Sequence, residues 1–332
     1  MNILTQFEKI DQIKWSKLVK EAKTTTWFQT AEAYTFYASL PELFNPFVIA
    51  VAEESIRGVI VGYITKEKNA LKQFGTRRAI IIGGPLLAED IRDEELQVLL
   101  NTTKKHIGKR AIYIETRNFH DYSPWKSVFE QCGWKYKEHL NFHIDCSSQE
   151  IMEANMSKNR KRDIKFSFRD GATIIEHPTI EQIQTYYQIL KHLYTTKVKT
   201  PLFPLSFFEK LYNCPSARFL LVELNGEIIG GTACVCLEGK AMYEWFVCGR
   251  DGEWKSIFPS SVATYAGICY ATTHNYPVFD MMGAGTSKEA YGVRDFKARF
   301  GGQLVEHGRY LYITRKILFV IGKIGVKLLK NI

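Results

Sequence analysis

Two stretches of this chain read alike although they lie 172 residues apart. FVIAVAEESIRGVIVGYI runs from Phe47 and FLLVELNGEIIGGTACV from Phe219, with Gly58 and Gly230 in equivalent places. Each has apolar runs on either side of a short polar break, the pattern of two strands joined by a tight turn. The likeness continues downstream. A third strand follows (RAIIIGGPLL; AMYEWFVCG), then a helical stretch (EELQVLLNTTKKHIGKR; SSVATYAGICYATTH), then another strand (AIYIETRN; PVFDMMGAG). Both copies end in a short helix, a glycine and a last strand, WKSVFEQCGWKYKEHLNFHI and VRDFKARFGGQLVEHGRYLYI. Gly133, Glu138 and His139 there match Gly301, Glu306 and His307 at an offset of 168. A repeated order of elements at a nearly constant offset marks a duplicated unit. The 332 residues are therefore expected to hold two copies of one α/β layer, a mixed sheet flanked by helices. The expected division is a first domain over 1–150, a second over 151–314 and a terminal helix over 315–332.

Charge is distributed unevenly over this frame. The formal net charge is +9, yet residues 156–169 alone carry +5 and residues 309–332 carry +6, which leaves −2 for the rest. In the first patch, helical spacing puts Lys158, Arg162, Lys165 and Arg169 on one stripe, a candidate nucleic-acid contact through phosphates or else a solvated helix face. Phe166 and Phe168 between them are expected to face the core. In the second patch, Lys316, Lys323, Lys327 and Lys330 fall within about 60° of one another on a helix, with Ile317, Ile321, Ile324, Leu328 and Leu329 opposite. That pattern suits either a membrane interface or docking on the chain's own domain.

Several classes are excluded. At 45% hydrophobic and 24% charged residues the chain is neither disordered nor fibrous. Seven cysteines with no CxxC pair argue against a zinc site and for small buried side chains in a reducing compartment. The first residues, MNILTQFEKIDQIKW, lack the apolar core of a signal peptide, and no apolar run approaches the roughly 18 residues that span a bilayer. A cytoplasmic protein is expected, with peripheral contact at the inner face of the plasma membrane if the terminal helix binds lipid.

The element order of one copy looks like the GNAT N-acyltransferase fold. Two copies in tandem resemble the Fem family of peptidoglycan interpeptide-bridge aminoacyl transferases. The resemblance is carried by WFQTAEAY (27–34), RRAIIIGGPLL (77–87), IETRN (114–118), EQCGWKYKEHLNFHID (130–145) and NRKRDIKFSFRDGATI (159–174). Most specific is FDMMGAG (279–285) followed by YGVRDFKARFGGQLVE (291–306), which matches the family's Phe-Lys-x-x-Phe-Gly signature. The resemblance implies two GNAT-like domains and transfer of an amino acid from aminoacyl-tRNA to an amine of a lipid-linked or UDP-linked precursor peptide. The acceptor's diphosphate would lie between the domains. The chain departs from the family in two respects. It lacks the coiled-coil arm of some members, and the stretch from Thr24 to Ile56 contains no Lys or Arg to meet a phosphate.

Transfer of an acyl group to an amine needs a fixed charge or dipole for the oxyanion and a path for the amine's proton. It needs no enzyme nucleophile, and no G-x-S-x-G elbow is present. The resemblance makes Lys297, in DFKARF, the candidate cation, against the alternative of a solvated helix lysine. Asp280 is a candidate proton acceptor or a cap. Arg294, three residues before Lys297, is a second anion contact or a surface ion pair. Gly283 and Gly285 allow close backbone approach at a strand end or simply form a turn. By the fold, the strand bearing Tyr243 lines the acyl-donor cleft. By the family, Lys197 and Lys199 lie near the acceptor phosphate. No cofactor is expected; the alternative is acetyl-coenzyme A as donor. Coenzyme A users of this fold carry a glycine-rich loop whose backbone N–H groups meet the diphosphate. Here that place reads CGRDGEWKSIFPSS, with Arg250 and Gly252 but no second glycine at the right spacing. A third reading is a non-enzymatic scaffold that binds RNA or membrane.

Overall fold

The computed structural model describes residues 1–67, 75–288 and 292–322. The first copy supplies β1 (Asn2–Leu4), α1 (Gln12–Glu21), α2 (Ala31–Ala38), β2 (Phe44–Ala52), β3 (Ile56–Thr65), β4 (Arg78–Gly83), β5 (Leu86–Leu87), α3 (Asp93–Ile107), β6 (Tyr113–Asn118), α4 (Lys126–Gln131) and β7 (Lys135–Lys137). There follow β8 (Leu140–Asp145), α5 (Gln149–Asn155), α6 (Lys158–Arg169), β9 (Thr173–Ile175), α7 (Ile180–Leu193), α8 (Leu205–Tyr212), β10 (Ala217–Leu224), β11 (Glu227–Leu237), β12 (Ala241–Gly249), α9 (Pro259–Thr273), β13 (Val278–Gly283), α10 (Gly292–Ala298), β14 (Gln303–Glu306) and β15 (Arg309–Ile313).

Both repeated hairpins form where the sequence places them. In β2–β3, Val51 faces Gly58 and the register shifts at Val51/Ala52; in β10–β11, Val222 faces Gly230 and the register shifts at Val222/Glu223. The same bulge thus sits at the same point of both copies. The second hairpin turns on Asn225 and Gly226, whose φ of 54° and 82° are those of a tight I′ turn. The third strand of each copy then pairs parallel with the strand after the helix: β4 with β6 and β12 with β13.

The last strands part from the expected division. Each breaks at its Glu-His pair, and its two pieces join different sheets. The first sheet runs β1-β2-β3-β4-β6-β15-β7, with β5 on β3; the second runs β14-β8-β13-β12-β11-β10-β9. The compact units are Met1–His139 with Glu306–Ile332, and Leu140–Val305. The boundary at 150 therefore falls eleven residues late, and residues 306–314 lie in the first unit, not the second. Both final strands pair antiparallel with the strand after a copy's helix, β8 with β13 and β15 with β6, and no local pattern says which copy's sheet each joins. His139 and His307 hold equivalent places because each marks a crossing of the chain.

In the first unit the WFQ and GGP stretches form one buried latch. Gln29 Nε2 donates to the Gly83 and Gly84 carbonyls at 3.2 and 3.0 Å, and its Oε1 accepts from Thr26 N. Tyr122 donates to Pro85 O at 2.7 Å. Gly83 and Gly84 have φ of 86° and 78°, and a Cβ on Gly83 would overlap the Thr26 hydroxyl. In the second unit one core joins β8, β12 and β13 to α5, α6 and α9 through Phe142, Ile144, Met152, Ile164, Met242, Ile268, Phe279 and Phe300.

Candidate functional site

The site of the second unit lies where two parallel strands separate. β12 and β13 pair only over Ala241–Tyr243 and Val278–Asp280. Beyond that point both strands are irregular. β12 carries an extra residue, Trp245, against the step from Ala233 to Cys234. On the other side of β13, Asp280 faces His143 and Gly283 faces Asn141, so β13 holds one residue more than β8. Met282 takes up that residue at φ 56°, a strained value for a side chain of its size. Asp280, 1% exposed, fixes the kink: its Oδ1 accepts from Met282 N at 2.6 Å and its Oδ2 pairs with His143 Nε2 at 3.2 Å. Burial alone would hold His143 down, but the hydrogen bond and charge of Asp280 raise it.

Lys297 reaches this kink from α10 and is itself buried, 7% exposed. Its Nζ donates to Met281 O and, at 2.9 Å, to Gly283 O. Two of the three ammonium donors are so used, and the described residues provide no partner for the third. Burial lowers the Lys297 pKa, against the opposing charges of Glu244 and Asp280.

Glu244 on β12 completes the cluster and was missed in the sequence. It is 4% exposed, and neither carboxylate oxygen has a well-formed hydrogen bond among the described residues. Burial pushes its carboxyl up to about 7, moderated by the Lys297 charge and the nearby Thr264 and Thr232 hydroxyls. The available signal was a glutamate among aromatics in a strand, a place where charged side chains are rare unless paired. His143 was missed as well; only the exchange of β8 into this sheet brings it beside Asp280.

Other predicted residues fall as follows. Tyr243, 1% exposed, lies across from Asp280 in the parallel register. Arg294 Nη1 donates to Thr286 O in the loop after β13. Gly283 offers its carbonyl to Lys297, while Gly285, at φ 76°, accepts from Leu140 N at 2.9 Å. Lys197 and Lys199 are exposed in a π-turn after α7, and neither shares a hydrogen bond or ion pair with the Lys297 cluster.

On α6, Lys158, Arg162, Lys165 and Arg169 are all exposed, on one stripe, although Arg162 and Arg169 also pair with Asp163 and Asp170. One expectation for this helix fails. Phe166 and Phe168 do not face the core: Arg169 stacks on Phe166, and Phe168 is 38% exposed. Arg160, counted in the basic patch, is buried at 4% exposure. It lies over the Phe296 and Phe300 rings at 4.5 and 4.4 Å and donates to Ser261 Oγ and Phe296 O. Its role is to hold α10, and with it Lys297, against the helices beside the sheet.

The start of α9, where this fold would meet a coenzyme A diphosphate, is already filled. Ser260 N donates to Asp251 Oδ1 at 3.1 Å. Arg250 is bound by Glu227 and Glu253. A Cβ on Gly249 would overlap Ser260 N, so strand end and helix start abut directly. In the first unit, Glu95 closes the equivalent helix start by accepting from Arg92 N at 2.8 Å. Among the described residues no group of His, Cys, Asp or Glu is placed to hold a metal ion, and no helix is long and apolar enough to cross a membrane. The terminal helix is described only from 316 to 322; Lys323, Lys327 and Lys330 lie outside the described residues.

Comparison with known proteins agrees with this architecture. No curated protein sequence matches the chain. Among solved structures, FemX is similar at a TM-score of 0.75 and 14% identity, over 97% of this chain and 99% of that one. A tandem GNAT protein from the clavulanic acid biosynthesis pathway is similar at 0.57 and 10%, over 94% and 98%. L-PGS from Bacillus licheniformis is similar at 0.56 and 14%, over 94% and 96%. Residues 155–298 match the acetyltransferase (GNAT) domain family, a span that includes Glu244, Asp280 and Lys297. The chain thus has the tandem GNAT fold over nearly its whole length, and the match to the acetyltransferase (GNAT) domain family falls within its second unit.

Proposed function

We propose that the protein is an N-acyltransferase that passes an aminoacyl group, carried on tRNA, directly to an amine of a phosphate-bearing cell-envelope precursor such as a peptidoglycan peptide. The observation that carries this reading is the buried Lys297 ammonium, held on two carbonyls at the strand separation with one N–H left for a ligand. An acyl carbonyl placed there would develop its negative charge against that donor. In this low-dielectric setting a preorganised cation stabilises an oxyanion far better than water does. The attacking amine must lose a proton, and Glu244, with its carboxyl near neutrality, is a nearby group able to exchange one.

The choice of tRNA over coenzyme A is supported by the filled start of α9, where Asp251 would face the diphosphate, and by the exposed cations of α6. The likeness to FemX supports the acceptor class. Ile317, Val320 and Ile321 are exposed at the start of the terminal helix, which supports contact with a membrane carrying a lipid-linked acceptor. A second reading, transfer from acetyl-coenzyme A, is favoured by the match of residues 155–298 to the acetyltransferase domain family. Incubating the protein with charged tRNA or acetyl-coenzyme A, plus lipid-linked and UDP-linked precursors, distinguishes the two by product mass. Aminoacylated precursor supports the first reading; acetylated product alone replaces it with the second.

A further inference from the structure

The first unit carries a row of cations on one face of its sheet. Glu115 and Arg117 are two apart on β6 and so share a face. Arg309 on β15 joins them there, since its Nη1 reaches Glu115 Oε1 at 3.2 Å while Arg117 Nε reaches the same oxygen at 3.0 Å. Lys137 on β7 lies directly across from Arg309 in the antiparallel register and so shares that face. Like charges directly opposite one another on neighbouring strands destabilise a sheet unless an anion lies between them. Among the described ion pairs, Glu115 is the only carboxylate on either guanidinium, so the two arginines share one anion.

The arrangement is unfinished at the arginines. Arg309 Nε is buried with no hydrogen-bond partner among the described residues, and its Nη2 meets a ring nitrogen, His139 Nε2, at 2.9 Å. Burial, more than the neighbouring Arg117 charge, lowers the Arg309 pKa against the opposing charge of Glu115. Yet the side chains are reachable: Arg117 is 35% and Arg309 26% exposed. Phe319 lies beside the row, with Lys137 Nζ 5.8 Å from its ring centre. Planar guanidinium forks backed by a lysine suit the tetrahedral oxygens of phosphate.

We propose that Arg117, Arg309 and Lys137 form a binding site for the phosphate or diphosphate group of a ligand. The site is independent of the Lys297 cluster, and its test requires no turnover. Inorganic pyrophosphate is titrated into the full-length protein by calorimetry and by thermal shift. Saturable binding is expected, with a rise in Tm and an affinity that falls with salt. Arg117→Gln and the more exposed Lys137→Gln should each weaken it at least about fivefold. Parallel titrations with UDP and with phosphatidylglycerol vesicles identify whether the natural phosphate is borne by a nucleotide or by a lipid; binding of either supports the site if it is lost in the same variants. Two results overturn the proposal: no binding of pyrophosphate by the wild-type protein, or binding that both variants leave unchanged.

Discussion

Glu244 and Lys297 show how burial sets chemistry one side chain at a time. A carboxyl held near 7 in the folded chain and near 4.5 in the unfolded chain keeps its proton in the fold after the unfolded state has released it. Its contribution to stability is therefore complete below about pH 4.5 and is lost as pH rises through about 7. A shift of this size corresponds to about 3 kcal/mol between those limits. Glu244→Gln removes that dependence: urea unfolding at pH 5 and pH 8 should show the variant gaining on the wild type at the higher pH by up to about 3 kcal/mol. An equal difference at both pH values would contradict the buried titration. For Lys297, replacement by Met removes the buried ammonium of the cluster, and turnover should fall at least about tenfold while the fold persists. Steady-state kinetics with the substrate identified by product mass checks this; an unchanged rate removes Lys297 from the chemistry. Lys297 could be singled out because its signature is local in sequence, and the structure buries it instead of leaving it a solvated helix lysine. Glu244 could not be, because its meaning depends on Lys297, 53 positions away, and on a strand separation that no short motif encodes.

Among the elements, α10 and the turn after it hold Lys297 in place only because their neighbours are matched to them. Gly301 has φ 82°, and a Cβ there would overlap the Asn155 carbonyl at the end of α5. Ser157 N also donates to Arg299 O at 3.0 Å, so this turn is locked to the loop between α5 and α6. Gly301→Ala is expected to cost at least about 3 kcal/mol through both backbone strain and overlap. A thermal melt should register this as a drop of roughly 6–12 °C. Tolerance of alanine would mean that the glycine of the Phe-Lys-x-x-Phe-Gly stretch is not there for packing. The exposed stripe of α6 makes a different prediction. Changing Lys158, Arg162, Lys165 and Arg169 together to Gln should flatten the salt dependence of tRNA binding by roughly 3 in log–log slope. Filter binding across a salt series measures it, and an unchanged slope places the RNA contact elsewhere. Here the sequence was informative about the exposed cations, whose 3.6-residue spacing holds on any helix. It misjudged Phe166 and Phe168, because which residues turn inward depends on what the helix packs against.

Over the whole molecule, the repeat was readable because each hairpin and each strand–helix–strand run is encoded in contiguous sequence, down to the shared bulge before the turn. The exchange of final strands was not, since each pairs antiparallel with the strand after one copy's helix, β13 or β6, and no local pattern says which copy's. That exchange makes a prediction opposite to the one two consecutive domains would make. In the first sheet β15 lies between β6 and β7, with Leu311 across from both Glu115 and Lys135. Ending the chain at Val305 therefore removes an interior strand from the first unit and leaves the strands β10 to β13 of the second with all their neighbours. β6 would lose its antiparallel partner and β7 its only connection to the sheet. Hydrogen exchange of the truncated chain should show lost amide protection in β6 and β7, more than 160 residues before the cut, and retained protection in β10 to β13. If protection were instead lost in the second unit, next to the cut, the last strand would be acting within its own copy and the exchange would be wrong.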